Sequence, residues 1–329
     1  MSARLLLATL LLAALPVSAA AQTTHLLIVV GLAGDPEYGD LFRKWGTTLA
    51  TTASTRLGVP KENILYLSDE EKAQPPVTGR STREEVAKAF ATLASKAGED
   101  DTVLIVLFGH GTFDGKIAKF NLPGPDMTPA EFAPLVAKLR SKRLVFVDTT
   151  SASGPFVEAL SGPGRVVLTA TRTGAEKFAT LFGGPFVDAF ATEAADTDRN
   201  GRVSILEAFE YARKQVAAEY QRNGLLQTEH ALLDDNGDKE GSMEVGGQAK
   251  DGQIAATLSL GSTRAEAAPA TEQLRALYAE RQVLERRIES LKLLKGSMDP
   301  DKYSAELEKL ATELALKTRQ IREAEGKRQ

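Results

Sequence analysis

Short apolar runs recur along the chain from His25, each closed by a polar or glycine-rich stretch and followed by text of helical period. Leu26–Val30, Ile64–Leu67, Thr102–Phe108, Leu144–Asp148 and Arg165–Thr171 read as strands. The third holds six consecutive apolar residues between an acidic stretch and Gly109-His110-Gly111. Strands that are apolar at every position bury both faces, the pattern of a parallel sheet covered by helices on each side. Helical text fills the intervals: Tyr38 to Leu57, Thr82 to Ala97, a helix opening at Thr128-Pro129-Ala130-Glu131, about Pro185 to Ala195, and about Ile205 to Gln221. Thr82-Arg83-Glu84-Glu85 has the spacing of a capping box. The alternation predicts an α/β fold with a mainly parallel sheet.

The pattern changes in the last third. Gly241 to Pro269 is rich in Gly, Ala and Ser and reads as a linker with one edge strand at Ile254–Leu260. From Thr271 the apolar positions fall into heptads: Leu274, Leu277, Leu284, Ile288 and Leu291, with Arg281 in one seam position. Gly296-Ser297-Met298 interrupts them, and Asp299-Pro300 restarts a helix whose seam is Tyr303, Leu307, Leu310, Leu314 and Ile321. Two helices joined by a short turn predict an antiparallel coiled-coil hairpin. Its long seam predicts homo- or hetero-association. At the other end, Met1 to Ala21 has one early charge, Arg4, a Leu/Ala core and small residues before Gln22, which is the form of a secretory signal peptide. The chain thus divides into a leader over 1–21, an α/β body over 22–223, a connecting segment over 224–269 and a helical hairpin over 270–329.

Composition narrows the classes. Forty basic against 44 acidic residues give a net charge of −4, which argues against nucleic acid as a partner. No later apolar run approaches the roughly 20 residues a membrane helix needs, so no membrane span is expected and the leader predicts a periplasmic or extracellular protein. The absence of cysteine excludes disulfides, a lipoprotein anchor and thiol chemistry. No Gly-x-x-x-x-Gly-Lys-Ser/Thr phosphate cradle occurs.

Two strand ends carry candidate chemistry. One bears Gly109-His110-Gly111; the other runs from Asp148 into Thr149-Thr150-Ser151-Ala152-Ser153-Gly154. A single crossover helix between them predicts neighbouring strands, which brings the two loops together. These segments resemble those of the caspase/legumain-like (clan CD) peptidases, in which a His-Gly pair follows one strand and an Ala-Cys-x-Ser-Gly-type segment follows the next. The resemblance runs from about His25 to Tyr220 and implies a caspase-like three-layer α/β/α sandwich. In that family the thiol attacks a carbonyl, the His assists proton transfer, and a backbone amide near the Cys stabilises the oxyanion. Gly109, Gly111 and Gly154 are the corresponding loop or oxyanion positions. Here the nucleophile position falls on Ser151 when counted back from Ser153-Gly154, and on Thr150 when counted forward from Asp148. Neither is Cys. A hydroxyl needs an aligned base, and in a site shaped for sulfur a displacement of about 1 Å costs roughly 100-fold. The expectation is therefore a non-catalytic pseudo-peptidase that binds or scaffolds a peptide or protein ligand. The alternative is a peptidase or other hydrolase using Ser151 or Thr150 with His110 as base. Arg172, just past a strand end, is a candidate for meeting a carboxylate in the groove.

A second motif spans residues 196–207 and matches the twelve-residue EF-hand loop position by position. Asp196, Asp198 and Asn200 stand at positions 1, 3 and 5, Gly201 at the sharp turn, the Arg202 carbonyl at 7, Ser204 at 9 and Glu207 at 12. This predicts a structural calcium ion of modest affinity, because Arg199 and Arg202 add positive charge and no second EF-hand pairs with the loop. A helix cap near Ser204 without an ion is the competing expectation. Asp234-Asp235-Asn236-Gly237-Asp238 lacks a Glu at the required offset and reads as an exposed acidic loop, with a weaker ion site as the alternative.

Overall fold

A computed structural model describes residues 23–70, 74–176, 178–192, 194–198 and 200–261, and towards the C-terminus 276, 277, 280, 281, 283, 284, 287, 288, 291, 292, 294, 295 and 298–326. The expected leader, Leu274 and Arg199 lie outside the described residues.

The apolar runs form the sheet. β1 (Thr24–Val30), β2 (Ile64–Ser68), β3 (Gly79–Arg80), β4 (Thr102–Phe108), β7 (Arg143–Asp148), β8 (Arg165–Thr169) and β9 (Leu232–Asp234) lie in the order β3-β2-β1-β4-β7-β8-β9. Every pairing is parallel except β8 with β9. A small antiparallel ribbon, β5 (Gly111–Phe113) with β6 (Ala118–Phe120), projects just after β4. Successive strand residues serve opposite faces. Leu26, Ile28, Val30, Leu104, Val106 and Phe108 enter one core with α1 (Pro36–Thr55), α5 (Gly183–Ala191) and α6 (Ile205–Arg222). Leu27, Val29, Val103, Ile105 and Leu107 enter the other with α2 (Arg83–Lys96), α3 (Pro129–Val136) and α4 (Phe156–Leu160). The result is the expected α/β/α arrangement about a mainly parallel sheet.

Local signals explain the helix starts. Asp35 accepts the Glu37 N–H at 2.9 Å and Pro36 opens α1. Thr128 and Glu131 cap each other reciprocally at the start of α3, and Ser204 and Glu207 do so at α6. The box expected at Thr82 is only half made: Thr82 accepts the Glu85 N–H, while the Glu85 carboxylate turns to Lys88. His25, at the amino end of β1, is 3 % exposed and pairs with Asp101 at 3.4 Å, away from the strand ends that carry chemistry.

The segment after α6 departs from its reading as a linker. Its edge strand is β9, and Ile254–Leu260 is not a strand: Gln253–Thr257 forms a short helix, α7. The reason is Asp235, whose two carboxylate oxygens accept the Gly252 and Ala255 N–H groups at 2.9 Å each and so fix a helix N-terminus. Asp234 and Asp235 are buried, not exposed as their acidity suggested, while Asp251 takes the Asp235 N–H and the Ser242 hydroxyl. Leu258 and Leu260 join the body core. C-terminal to this segment, helical residues between 276 and 292 pack on the helix Pro300–Gly326 through Leu284, Leu291 and Leu310. Ion pairs Glu280–Lys317 and Arg287–Glu306 run in opposite sequence directions, so the two helices are antiparallel.

The α2–α4 face is organised by Phe132, which is fully buried and meets the rings of Phe90, Phe120, Phe146 and Phe156 at centroid distances of 6.1, 6.4, 5.7 and 5.7 Å. Phe132→Ala is expected to destabilise the protein by about 3–5 kcal/mol, measured by denaturant unfolding. A loss below about 1 kcal/mol would show that the four rings close the gap without it.

Candidate functional site

β4 and β7 are hydrogen-bonded neighbours, in register from Thr102 opposite Arg143 to Leu107 opposite Asp148. Their carboxyl ends therefore emerge side by side, as their spacing predicted, and the loops after them touch. A Cβ on Gly111 would lie 2.8 Å from Thr150 Oγ1 and 2.7 Å from Ala152 Cβ, so only glycine fits there. Ser151 Oγ donates to the Gly111 carbonyl at 3.3 Å. Thr150 is fully buried, and its hydroxyl has no hydrogen-bond partner.

His110 sits at the same edge but turns to other company. Its ring is half-buried, edge-on to Tyr38 and Phe42 at centroid distances of 4.9 and 5.2 Å. Burial pushes its pKa below the ordinary histidine value, with the Ala33 backbone partly offsetting this, so the imidazole is neutral at neutral pH. Among the described residues no hydrogen bond joins it to Thr150 or Ser151. The edge thus holds the expected His and hydroxyls together as neighbours in the sheet, without a base-to-nucleophile hydrogen bond.

The remaining hydroxyls tie loops to one another. Thr149 Oγ1 donates to the Leu107 carbonyl, Ser153 and Thr171 hydroxyls lie 2.9 Å apart, and Thr180 Oγ1 donates to the Thr149 carbonyl. Gly154 passes so close to the Arg172 backbone that a Cβ would come within 2.5 Å of its carbonyl oxygen. Its N–H donates to Thr171 Oγ1 at 3.1 Å, which commits the group expected at an oxyanion position. Gly109 packs likewise against the Phe120 ring and the Gly31 backbone.

Residues the sequence reading missed shape the same edge. Asp148, fully buried, accepts the Thr150 N–H at 2.9 Å through one oxygen, while the other has no partner. Burial raises its pKa to about 7, with the Thr150 N–H pulling it partly back. Glu229, also buried, accepts the Leu181 N–H through both oxygens at 2.9 and 3.0 Å, and burial raises it to about 7. Glu176 accepts the N–H groups of Arg172 and His230 and lies 3.0 Å from His230 Nδ1. These contacts hold the loop after β8, which presents an exposed Arg172 and an exposed Phe178, the latter 68 % accessible. Exposed Leu32 and Ile117 stand on neighbouring loops of the same edge, and exposed Tyr38 in the first turn of α1. A charged residue ending an apolar strand was the available signal for Asp148; nothing local marks Glu229 or Glu176.

The described residues of 196–207 form a tight loop ahead of α6. Gly201 has φ +82°, and Asp196 accepts the N–H groups of Asn200 and Gly201. Oxygens of Asp196, Asp198 and Glu207 lie within 4.8 Å of one another. Glu207 Oε1 accepts the Thr197 and Asp198 N–H groups, and Oε2 accepts the Ser204 N–H, so Glu207 serves the α6 cap as well. Arg202 donates its N–H to Asn200 Oδ1. Burial, then the nearby Glu207, raise the pKa of Asp198. The backbone at Leu258–Ser259 braces the loop through the Ile205 N–H and a bridge to Ser204.

No family model matches the sequence, and no curated protein matches it. Among solved structures the fold is similar to the crystal structure of drICE, a caspase, at 12 % identity and a TM-score of 0.36, over 61 % of this chain and 85 % of that one.

Asp148 and Glu229 hold their protons more tightly folded than unfolded. Their contribution to stability is present below the ordinary carboxylate range and is lost as pH rises from about 4 to about 7. Carboxylates with lowered pKa, such as Asp101, titrate below that window. The melting temperature is therefore expected to fall between about pH 5 and about pH 8, and Asp148→Asn to remove about 1–3 kcal/mol of that pH dependence. A wild-type melting temperature that is flat or rising over this interval would contradict the assignment.

Proposed function

We propose that this protein is an exported, non-catalytic relative of the caspase/legumain-like peptidases that holds a peptide or protein segment along the carboxyl edge of its sheet. The observation that carries this reading is that, among the described residues, no hydrogen bond joins either hydroxyl to His110. Ser151 Oγ donates to the Gly111 carbonyl, Thr150 is buried without a base, and the neutral His110 ring packs against Tyr38 and Phe42. The exposed Leu32, Tyr38, Ile117, Phe178 and Arg172 offer a segment both apolar contact and a positive charge. The 196–207 loop would hold a calcium ion: three carboxylates, an Asn side chain and a backbone carbonyl are the hard oxygen donors such an ion takes, and the ion would brace α6. No helix among the described residues is long and apolar enough to cross a membrane.

Treatment of the folded protein with a fluorophosphonate, followed by peptide mapping, is expected to leave Thr150 and Ser151 unlabelled. Label on either, abolished by His110→Ala, would establish the hydrolase reading instead. Screening against an array of extended peptides is expected to give ligands whose binding falls about ten-fold or more in Arg172→Glu and Phe178→Ala. Unchanged binding in both variants would move the binding surface elsewhere.

A further inference from the structure

The helical hairpin meets the 196–207 loop through a charge. Lys292 Nζ lies 3.6 Å from Asp198 Oδ2. Asp198 belongs to the group of three carboxylates whose oxygens converge within 4.8 Å, a crowding of like charge that is unfavourable unless a cation stands near. The loop's own hydrogen bonds do not supply one, since Asp196 and Glu207 spend theirs on backbone N–H groups and the hydroxyls of Thr197 and Ser204. Lys292 brings a positive charge from a separate element of the chain.

We propose that Lys292 and a calcium ion compete for Asp198, so that binding of the ion frees this side of the hairpin from the body. The inference rests on the calcium reading above. Coordination places a calcium ion about 2.3–2.6 Å from each ligand oxygen, so an ion on Asp198 would stand next to the ammonium and repel it. The hairpin can let go without coming apart. Its apolar cluster of Leu284, Leu291 and Leu310 is internal to it, and Glu280–Lys317 and Arg287–Glu306 join its own two helices. The contact that the ion disturbs is a half-exposed pair, Lys292 and Asp198 each being 44 % accessible at the side chain, so the coupling is modest and reversible. Pairs of this kind shift an equilibrium by about two- to five-fold.

A zero-length carbodiimide cross-linker reads the contact directly, because it joins an ammonium to a carboxylate only where they touch. Calcium-free protein is expected to yield a Lys292–Asp198 cross-link by mass spectrometry, and saturating calcium to suppress it. In parallel, Lys292→Gln is expected to tighten calcium binding about three-fold by titration calorimetry. Calcium binding of ordinary strength with an undiminished cross-link, or with equal affinity in Lys292→Gln, overturns the competition and leaves the calcium site standing. Absence of calcium binding in both proteins, with the cross-link present throughout, overturns the site and the competition with it.

Discussion

The carboxyl edge depends on the parallel ladder between β4 and β7. That register sets Leu107 opposite Asp148 and so delivers Gly111 against Thr150 and Ala152. A slip of one residue would turn every side chain of β7 to the opposite face. Val145 and Val147 would leave the α1–α5–α6 core, and Phe146 would leave the aromatic cluster around Phe132. The two apolar cores therefore enforce the position of the loops, although neither core touches a ligand. Stability and site geometry share one determinant.

What the ladder positions, buried carboxylates fasten. Glu229 closes the entry to α5 by accepting the Leu181 and Phe182 N–H groups, Asp235 does the same for α7, and Asp251 ties Asp235 and Ser242 together. Helix N-termini carry unpaired N–H groups and a partial positive charge, so a carboxylate there needs no side-chain cation. The cost is visible in their acidity: burial raises Glu229, Asp234 and Asp235 alike. All of these acids lie in the segment after α6, which returns across the sheet edge and through Leu258 to the 196–207 loop. Removing that segment would expose the end of β8 and unfasten two loops at once.

The sheet, its helices and the adjacency of β4 and β7 were legible because a doubly covered strand must be apolar throughout and a crossover leaves few topologies. The turn at Gly201 and the helix start at Ser204 were legible for a related reason, since both are set by residues close in sequence. The orientation of His110 was not, because Tyr38 and Phe42 come from α1 and no local pattern announces that they surround it. Ile254–Leu260 misled for the complementary reason. Its residues suit a strand, but Asp235, distant in sequence, satisfies the N–H groups that begin a helix. Buried acids were read as exposed because charge correlates with solvent only where no backbone donor is waiting.

The hydroxyls at the edge are held by contacts that reaction would break. For Ser151 to attack a carbonyl it must give up its bond to Gly111, and His110 must leave two aromatic rings to reach it. Each movement forfeits a contact worth about 1 kcal/mol, and nothing on the described edge compensates. The same ties between loops that immobilise Thr149, Ser153, Gly154 and Thr171 leave little freedom to lose when a segment docks against them. Rigidity of this kind lowers the entropy cost of docking a segment.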